Sequence, residues 1–261
     1  MSQRPPAVAG TFYPSDPVAL RQAVEGLLKD GAEAAADVPK AIIVPHAGLQ
    51  YSGPVAATAY RRLLPMREQI RRVVLFGPAH RTPINGLGAS SATEFETPLG
   101  AVPVDVEALA RAANMQQVEY ADAAHRDEHS LEVQLPFLQV ALERFEIVPF
   151  VVGSATGDEV AEVIELLWDG PETLIVVSSD LSHFHDHATA VRIDGETAAA
   201  VVGLRADDLD GQRACGYRAI AGLIEVAAGR GLRLRNVDLR DSSQTAGDPS
   251  RVVGYGAFVA C

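Results

Sequence analysis

The sequence predicts an α/β fold in which a mixed, mostly parallel sheet is flanked by helices. Helical and strand patterns alternate almost throughout the 261 residues, as in proteins that sandwich a sheet between helices. Short apolar runs at 41–44, 73–76 and 174–177 are typical of buried strands. Strands expected at 232–239 and 252–261 are joined by a polar loop, so part of the sheet should be antiparallel.

Capping residues and prolines place the helices of the first half. Asp16 and Pro17 predict a helix start, followed by apolar residues at helical spacing. After the first strand, 54–64 has a helical pattern that ends near Pro65. The segment 105–113 has the pattern of a helix capped by its first residue.

The second half continues the alternation. The segment 130–144 predicts a helix that bends or restarts at Pro136. A strand at 147–152 and a helix at 159–167 follow, before the strand at 174–177. No repeat, low-complexity tract or long linker divides the chain, so we expect a single domain, 1–261.

Composition predicts a cytoplasmic protein without nucleic-acid or membrane partners. Two cysteines, Cys215 and Cys261, cannot form a disulfide framework. No apolar run approaches the roughly 18 residues of a membrane span, and the segment 1–14 lacks the apolar core of a signal peptide. The net charge of −12, without a cluster of Lys or Arg, argues against nucleic acid and anionic membranes.

Three of the predicted strands each lead into a histidine, namely His46, His80 and His183. If the strands are parallel, these side chains leave the sheet at its carboxyl edge, where such sheets bind ligands. His46 and His80 are 34 residues apart, about one strand–helix–strand unit, so we expect neighbouring strands whose imidazoles reach one metal ion. The alternative is that each ring hydrogen-bonds a loop carbonyl.

Cys215 is the second informative residue. It opens an amphipathic helical pattern, and Arg213 and Arg218 flank it. A helix N-terminus and neighbouring cations favour a thiolate, the form that binds metals and reacts as a nucleophile. The alternative is a small buried thiol, as in most free cysteines.

The segment 178–187 contains three histidines and two aspartates. His183 is nearest the strand end and is our candidate for acid–base catalysis, with Asp180 placed to orient an imidazole. His183, His185 and His187 would crowd one ion, so one or two of them should be surface residues.

Glu128 and His129 precede the predicted helix at 130–144. Acids beside a helix N-terminus are explained by capping and the helix dipole. Glu128 and His129 nevertheless remain candidates for residues that line a cofactor pocket.

Taken together, these segments resemble the MEMO family, whose prokaryotic members are called AmmeMemoRadiSam system protein B. The resemblance covers essentially the whole chain, because its motifs occur in family order from residue 9 to residue 255. The matching segments are AGTFYP at 9–14, PHAG at 45–48, YSG at 51–53, GPAH at 77–80, DEHSLE at 127–132, SSDLSH at 178–183, CG at 215–216, GD at 247–248 and VGY at 253–255.

The resemblance implies a fold similar to the class III extradiol (LigB-type) non-haem iron dioxygenases. It also implies metal binding by His46, His80 and Cys215, and it matches His183 to the catalytic base of those dioxygenases. The dioxygenases complete their iron site with a carboxylate where this chain has Cys215, which puts ring cleavage in doubt. Two imidazoles and a thiolate suit copper better than a 2-His-1-carboxylate set does, with iron and zinc as alternatives.

Family members have been connected with redox chemistry and with peptide binding, and prokaryotic genes lie beside those for AMMECR1-like and radical-SAM proteins. The first hypothesis is therefore a copper- or iron-dependent redox protein that acts on O2 or a small molecule. The second is a non-catalytic module that binds a peptide or protein on a dioxygenase-like fold. A non-haem iron dioxygenase and a zinc hydrolase are further alternatives.

Overall fold

The computed structural model describes residues 2–29, 38–245 and 247–261. The strands are β1 (Gln3–Arg4), β2 (Ala41–Val44), β3 (Arg72–Pro78), β4 (Leu87–Ala89), β5 (Glu94–Thr97), β6 (Gly100–Pro103), β7 (Val118–Tyr120), β8 (Glu146–Val152), β9 (Thr173–Ser178), β10 (His183–His185), β11 (Leu234–Asp241) and β12 (Val252–Ala260). The helices are α1 (Pro17–Lys29), α2 (Leu49–Tyr60), α3 (Val106–Ala112), α4 (Asp122–Arg126), α5 (Gln134–Ala141), α6 (Gly157–Leu166), α7 (His187–Val202) and α8 (Tyr217–Arg230).

The larger sheet has the strand order β10-β12-β2-β9-β3-β8-β4-β7, and β11 also pairs with β12. Its centre is parallel, because β2 pairs with β9, β9 with β3, and β3 with β8 in that sense. Antiparallel pairs β12–β2 and β4–β8 extend it on both sides. The predicted α/β class with a mixed, mostly parallel sheet flanked by helices is confirmed.

The expectation that the strands of His46 and His80 are neighbours is wrong. β9 lies between β2 and β3 and pairs with both. Sequence spacing shows that a helix can join two strands, but it does not show whether a later strand inserts between them. All three strands are parallel, so their carboxyl ends still meet at one edge.

Local signals placed several elements well. The Asp105 side chain accepts a hydrogen bond from Ala108 N at 2.9 Å and caps α3, and β11 and β12 are antiparallel as predicted. The helix expected at 130–144 is shorter: α5 begins at Gln134, and Pro136 lies in its first turn, where proline costs no hydrogen bond.

Helices α6 and α8 pack closely because Gly222 has no side chain. A Cβ atom at this position would lie 2.6 Å from Cγ1 of Val160 on α6, which is closer than carbon atoms approach without strain. This contact packs the second turn of α8, the helix that follows Cys215, against α6. None of the helices in the described ranges is both long and apolar enough to cross a membrane.

Candidate metal centre

His46, His80 and Cys215 converge at the carboxyl edge of the sheet. His46 follows β2, His80 follows β3, and Cys215 lies in the turn before α8. One donor atom from each lies within 4.8 Å of the others. Nε2 of His46 is 3.4 Å from Sγ of Cys215, and the two imidazole centroids are 5.3 Å apart. The structure therefore brings together two imidazole nitrogens and one sulfur from three separate loops.

The buried Glu128 carboxylate holds the His80 ring. Its Oε1 is 2.9 Å from Nδ1 of His80, and its Oε2 accepts the main-chain N–H of His80 at 2.6 Å. Burial alone would raise the pKa of Glu128, but the imidazoles of His129 and His80 outweigh it and hold that pKa well below its usual value. An ionised carboxylate only accepts, so Nδ1 of His80 donates to it, and Nε2 is the nitrogen that faces away from Glu128 and is available to a metal.

His46 is almost fully buried. Its Nδ1 lies 2.8 Å from Oγ of Ser178, at the end of β9. Burial lowers the pKa of His46 from 6.5 to about 4, so the ring is neutral at physiological pH and retains a lone pair that a metal can use.

Asp180 positions main chain rather than the His183 ring. Its Oδ1 accepts the N–H groups of His46 at 2.8 Å and Ala47 at 3.3 Å. Its own N–H donates to Sγ of Cys215 at 3.3 Å. In the part of the chain that the structure describes, no hydrogen bond joins Asp180 to His183. Asp180 therefore links two of the three loops of the centre.

The predicted low-pKa thiolate at Cys215 is wrong for the metal-free protein. Burial and the charge of Asp180 raise the pKa of Cys215 to about 12. The expected sources of positive potential are displaced: α8 begins at Tyr217, and Arg213 pairs with Glu196. Arg218 donates to Ala155 O at 2.8 Å. Cys215 is thus a protonated thiol until a cation replaces its proton.

His183 lies outside the three-donor group. It pairs with Val253 in β12, and its ring contacts Phe184 edge-on with centroids 5.6 Å apart. Within the described ranges, no hydrogen bond, ion pair or ring contact joins His183 to His46 or Cys215. The buried Asp194 carboxylate lies close enough to His183 for their charges to interact.

The other two histidines of the segment are separate as well. His187 begins α7, and its Nδ1 is 2.6 Å from Oδ2 of the buried Asp241. His185 is partly exposed at the end of β10. Neither belongs to a group of three or more potential metal donors among the described residues.

His129 packs beside the centre. Its ring stacks on His80 at 4.8 Å between centroids and lies 5.4 Å from that of His46. Nδ1 of His129 lies 3.2 Å from Oε1 of Glu128, an ion-pair contact that does not have hydrogen-bond geometry. His80, Glu128 and His129 form a second group of potential donors within 4.8 Å.

A cavity of about 460 Å3 adjoins His80 and Cys215. It lies over the carboxyl ends of β3 and β8 and against the start of α8. Its polar lining includes Arg81, Ser154, Tyr217 and Arg218. A small molecule in this cavity would contact two of the three candidate ligands.

A buried ion pair that sequence reasoning missed supports the Glu128 loop. Arg4 pairs with Glu132, and both are nearly inaccessible to solvent. Arg4 also donates to the main-chain carbonyls of His125 and Glu128. The Glu132 carboxylate accepts the N–H groups of Ala7 and Val8. The N-terminal segment is thereby tied to the loop that orients His80.

Sequence reasoning also missed the residues around Nδ1 of His46. Ser178 and Gln134 are fully buried polar residues next to it. The only local signal was their position: Ser178 directly follows a predicted strand and Gln134 lies in a predicted helix. Neither position indicates contact with a residue more than 80 positions away.

Comparison with known proteins gave a family model and relatives that all name the same family. The family model described as Memo-like protein matches residues 4–259. A MEMO1 family protein of Sulfolobus acidocaldarius is 35% identical over 281 residues, covering 97% of each chain. One from Aquifex aeolicus is 35% identical, covering 98% of each chain. MEMO1 family protein TV1383 of Thermoplasma volcanium is 32% identical, covering 99% of this chain and 98% of its own.

A solved structure shares the fold. The crystal structure of the uncharacterized protein JW3007 from Escherichia coli K12 superimposes with a TM-score of 0.53. It covers 85% of this chain and 99% of its own, with 14% sequence identity. A match at this level of identity shows a similar fold and nothing about function. The shared fold is consistent with the one that the sequence motifs implied.

Proposed function

This chain belongs to the Memo-like protein family. We propose that it binds one redox-active metal ion, copper or iron, through His46, His80 and Cys215. The observation that carries the proposal is the proximity of three donor atoms of the right chemistry, all within 4.8 Å. Contraction of the three loops onto one ion would require only small movements, since bonds to such donors are about 2.0–2.3 Å long.

The orientation of both rings supports this ligand set. Nδ1 of His80 faces Glu128 and Nδ1 of His46 faces Ser178, so both Nε2 atoms are the free donors. Imidazoles that bind metals usually donate their other N–H in this way to a carboxylate, carbonyl or other acceptor.

The second donor group, with His80, Glu128 and His129, fits a metal ion less well. Oε1 of Glu128 already accepts N–H groups of His80, His129 and Ser130, and Oε2 accepts the His80 main chain. These contacts use the lone pairs that a metal would need. Glu128 and His129 therefore act in our proposal as supports of the pocket rather than as ligands.

Two imidazoles and one thiolate suit copper better than a 2-His-1-carboxylate set does. Iron and zinc are the other ions to test. When bound, copper or iron would supply one-electron chemistry to O2 or a small molecule in the adjoining cavity. The chain's contribution is to hold the ion, to exclude water from the buried side of His46, and to orient a molecule in the cavity.

We assign proton transfer to His183. Phe184, next to it, has φ of +65°, a left-handed conformation that is costly for a bulky residue and that often marks functional segments. The β10–β12 register also shifts between His183 and His185, an irregularity of the kind that is common next to active sites. The proposal rests on this strained geometry and on the family motif.

We propose AMMECR1-like and radical-SAM proteins as partners, because the genes of prokaryotic relatives lie beside genes for these proteins. A non-catalytic module that binds peptides is the alternative function. Retention of two imidazoles and a thiol around one point favours metal chemistry, because peptide binding alone does not require that arrangement.

Anaerobic purification from the native host, followed by elemental analysis, tests the proposed function. We expect about one equivalent of copper or iron per chain, and we expect it to be lost in a His46→Ala variant. Oxygen consumption with catechols, thiols and ascorbate then tests redox activity. A protein that binds neither metal on reconstitution but captures peptides would support the alternative instead.

A further inference from the structure

We infer that Ser178 is a positioning residue that fixes the tautomer of His46 and so directs its Nε2 lone pair to the metal centre. The consequence for metal binding rests on the proposed function. The tautomer itself is a property of the metal-free chain.

Two main-chain carbonyls determine every proton in the network around His46. A carbonyl oxygen only accepts hydrogen bonds. Oγ of Ser178 lies 2.6 Å from the carbonyl oxygen of Ser130, so the single hydroxyl hydrogen of Ser178 points there. The amide of Gln134 lies 2.9 Å from the carbonyl oxygen of Pro45, so the atom that faces Pro45 is the Nε2 donor.

The remaining contacts then have one solution. Nε2 of Gln134 also donates to Oγ of Ser178 at 2.8 Å, and Oε1 of Gln134 accepts from the Tyr60 hydroxyl at 2.9 Å. Burial raises the pKa of Tyr60 well above its usual value, so this hydroxyl stays protonated and donates. The Ser178 hydroxyl already donates its single hydrogen to Ser130 O. Towards Nδ1 of His46, 2.8 Å away, it can therefore only act as an acceptor.

Burial strongly disfavours any other placement of the hydrogens in this network. Tyr60, Gln134 and Ser178 are all inaccessible to solvent, and His46 is 2% exposed. A wrong proton in the network would leave a donor facing a donor without water to separate them, which costs far more than in solvent. The tautomer with the proton on Nδ1 is therefore strongly favoured over the one with the proton on Nε2.

The consequence appears at the metal face of the ring. Nε2 of His46 has a lone pair directed towards Sγ of Cys215, 3.4 Å away. In the other tautomer this position would hold a proton, and His46 would have to rearrange before it could bind a metal. Ser178 thus does for His46 what Glu128 does for His80, with a buried neutral hydroxyl in place of a carboxylate.

Long-range proton–nitrogen correlation spectra of the uniformly 15N-labelled, metal-free protein test the inference directly. We expect the signals of His46 to show a protonated Nδ1 and an unprotonated Nε2. In Ser178→Ala we expect a mixture of tautomers, and in Ser178→Thr, which keeps the hydroxyl, recovery of the wild-type pattern. A wild-type spectrum with the proton on Nε2 would overturn the inference without any variant, even if Ser178→Ala does not fold.

Ser182→Ala is the matched control. Ser182 is as buried as Ser178 and belongs to the same segment, but among the described residues no hydrogen bond joins its hydroxyl to His46, Gln134 or Ser130. We expect Ser178→Ala to bind Co2+ at least about tenfold more weakly than wild type, as for other residues that orient metal ligands, and Ser182→Ala to bind within about threefold of wild type. Equal loss in both variants, or none in Ser178→Ala, would contradict the positioning role.

The two proposals fail in different ways. If the wild-type protein takes up none of Co2+, Zn2+, Cu+ or Fe2+, the proposed function fails while the spectra still decide the tautomer. If metal binds normally and Ser178→Ala leaves both the spectrum and the affinity unchanged, the positioning role fails alone.

Discussion

Glu128 holds His80 at two points: Oε1 lies 2.9 Å from the ring Nδ1, and Oε2 lies 2.6 Å from the main-chain nitrogen. The same carboxylate therefore fixes both the path of the loop after β3 and the rotation of the ring. A ligand held in this way is ready for an ion before the ion arrives, which lowers the cost of binding.

Glu128→Gln should weaken metal binding by about 10- to 100-fold. The amide that replaces one oxygen would face an N–H group, so either the ring or the loop of His80 must move. Competition titration with Co2+ or Zn2+ measures the effect. Glu119→Gln, at an exposed position on β7, is the control and should bind as wild type does; equal affinities for the two variants would show that Glu128 does not position His80.

Cys215 should react slowly with iodoacetamide in the metal-free protein. With its pKa raised to about 12 by burial and by Asp180, the thiolate fraction at pH 8 is on the order of one in ten thousand. The rate should rise about tenfold per pH unit up to pH 10. Mass spectrometry of a Cys261→Ser protein isolates this site, and a rate that levels off near pH 8.5 would show an ordinary thiol.

Metal binding should release about one proton per ion near pH 8, since the thiol is the only ligand that must lose one. Both histidines keep the proton on Nδ1 and offer Nε2. Calorimetry in buffers of different ionisation enthalpy gives this number, and a release close to zero would indicate that Cys215 is not a ligand.

His125 should make the protein less stable in mild acid. It is buried, its Nε2 is 2.9 Å from Gly88 O, and burial lowers its pKa from 6.5 to about 4. Between these values the unfolded chain holds a proton that the folded chain does not, so stability falls as pH falls from 6.5 to 4, by up to about 3 kcal/mol from this group. His125→Gln should show a shallower pH dependence in urea unfolding; identical slopes would contradict the assignment.

Removal of the charge of Arg4 should destabilise the protein strongly. Arg4→Met leaves the buried Glu132 carboxylate without its partner, and we expect a loss of about 3 kcal/mol. Arg192→Met removes an exposed pair with Glu196 and should cost less than about 1 kcal/mol. Urea midpoints compare the two, and a similar small loss in both would mean that the Arg4 pair contributes little.

His183→Ala should keep Co2+ affinity within about tenfold, because His183 lies outside the three-donor group. His46→Ala should lose binding, since two remaining ligands hold an ion poorly. Parallel titrations distinguish the cases: a loss in His183→Ala as complete as in His46→Ala would make His183 a ligand.

The sequence by itself determined the fold class, and it singled out His46, His80 and Cys215 as candidate ligands. Apolar runs, prolines and caps are local signals, and each acts within a few residues, as Asp105 does at the start of α3. Parallel strands end at one edge of a sheet, so the histidines that follow β2 and β3 emerge at that edge.

Only the tertiary structure decided the order of the strands and the chemistry of the side chains. β9 separates β2 from β3, because pairing between distant strands is set by packing that no local pattern records. The pKa of Cys215 follows from Asp180, which lies 35 positions away in the chain, and from burial. The tautomer of His46 follows from Ser178, 132 positions away. Local sequence gives a residue its type and its place on an element, but proton positions depend on neighbours that meet only when the chain folds.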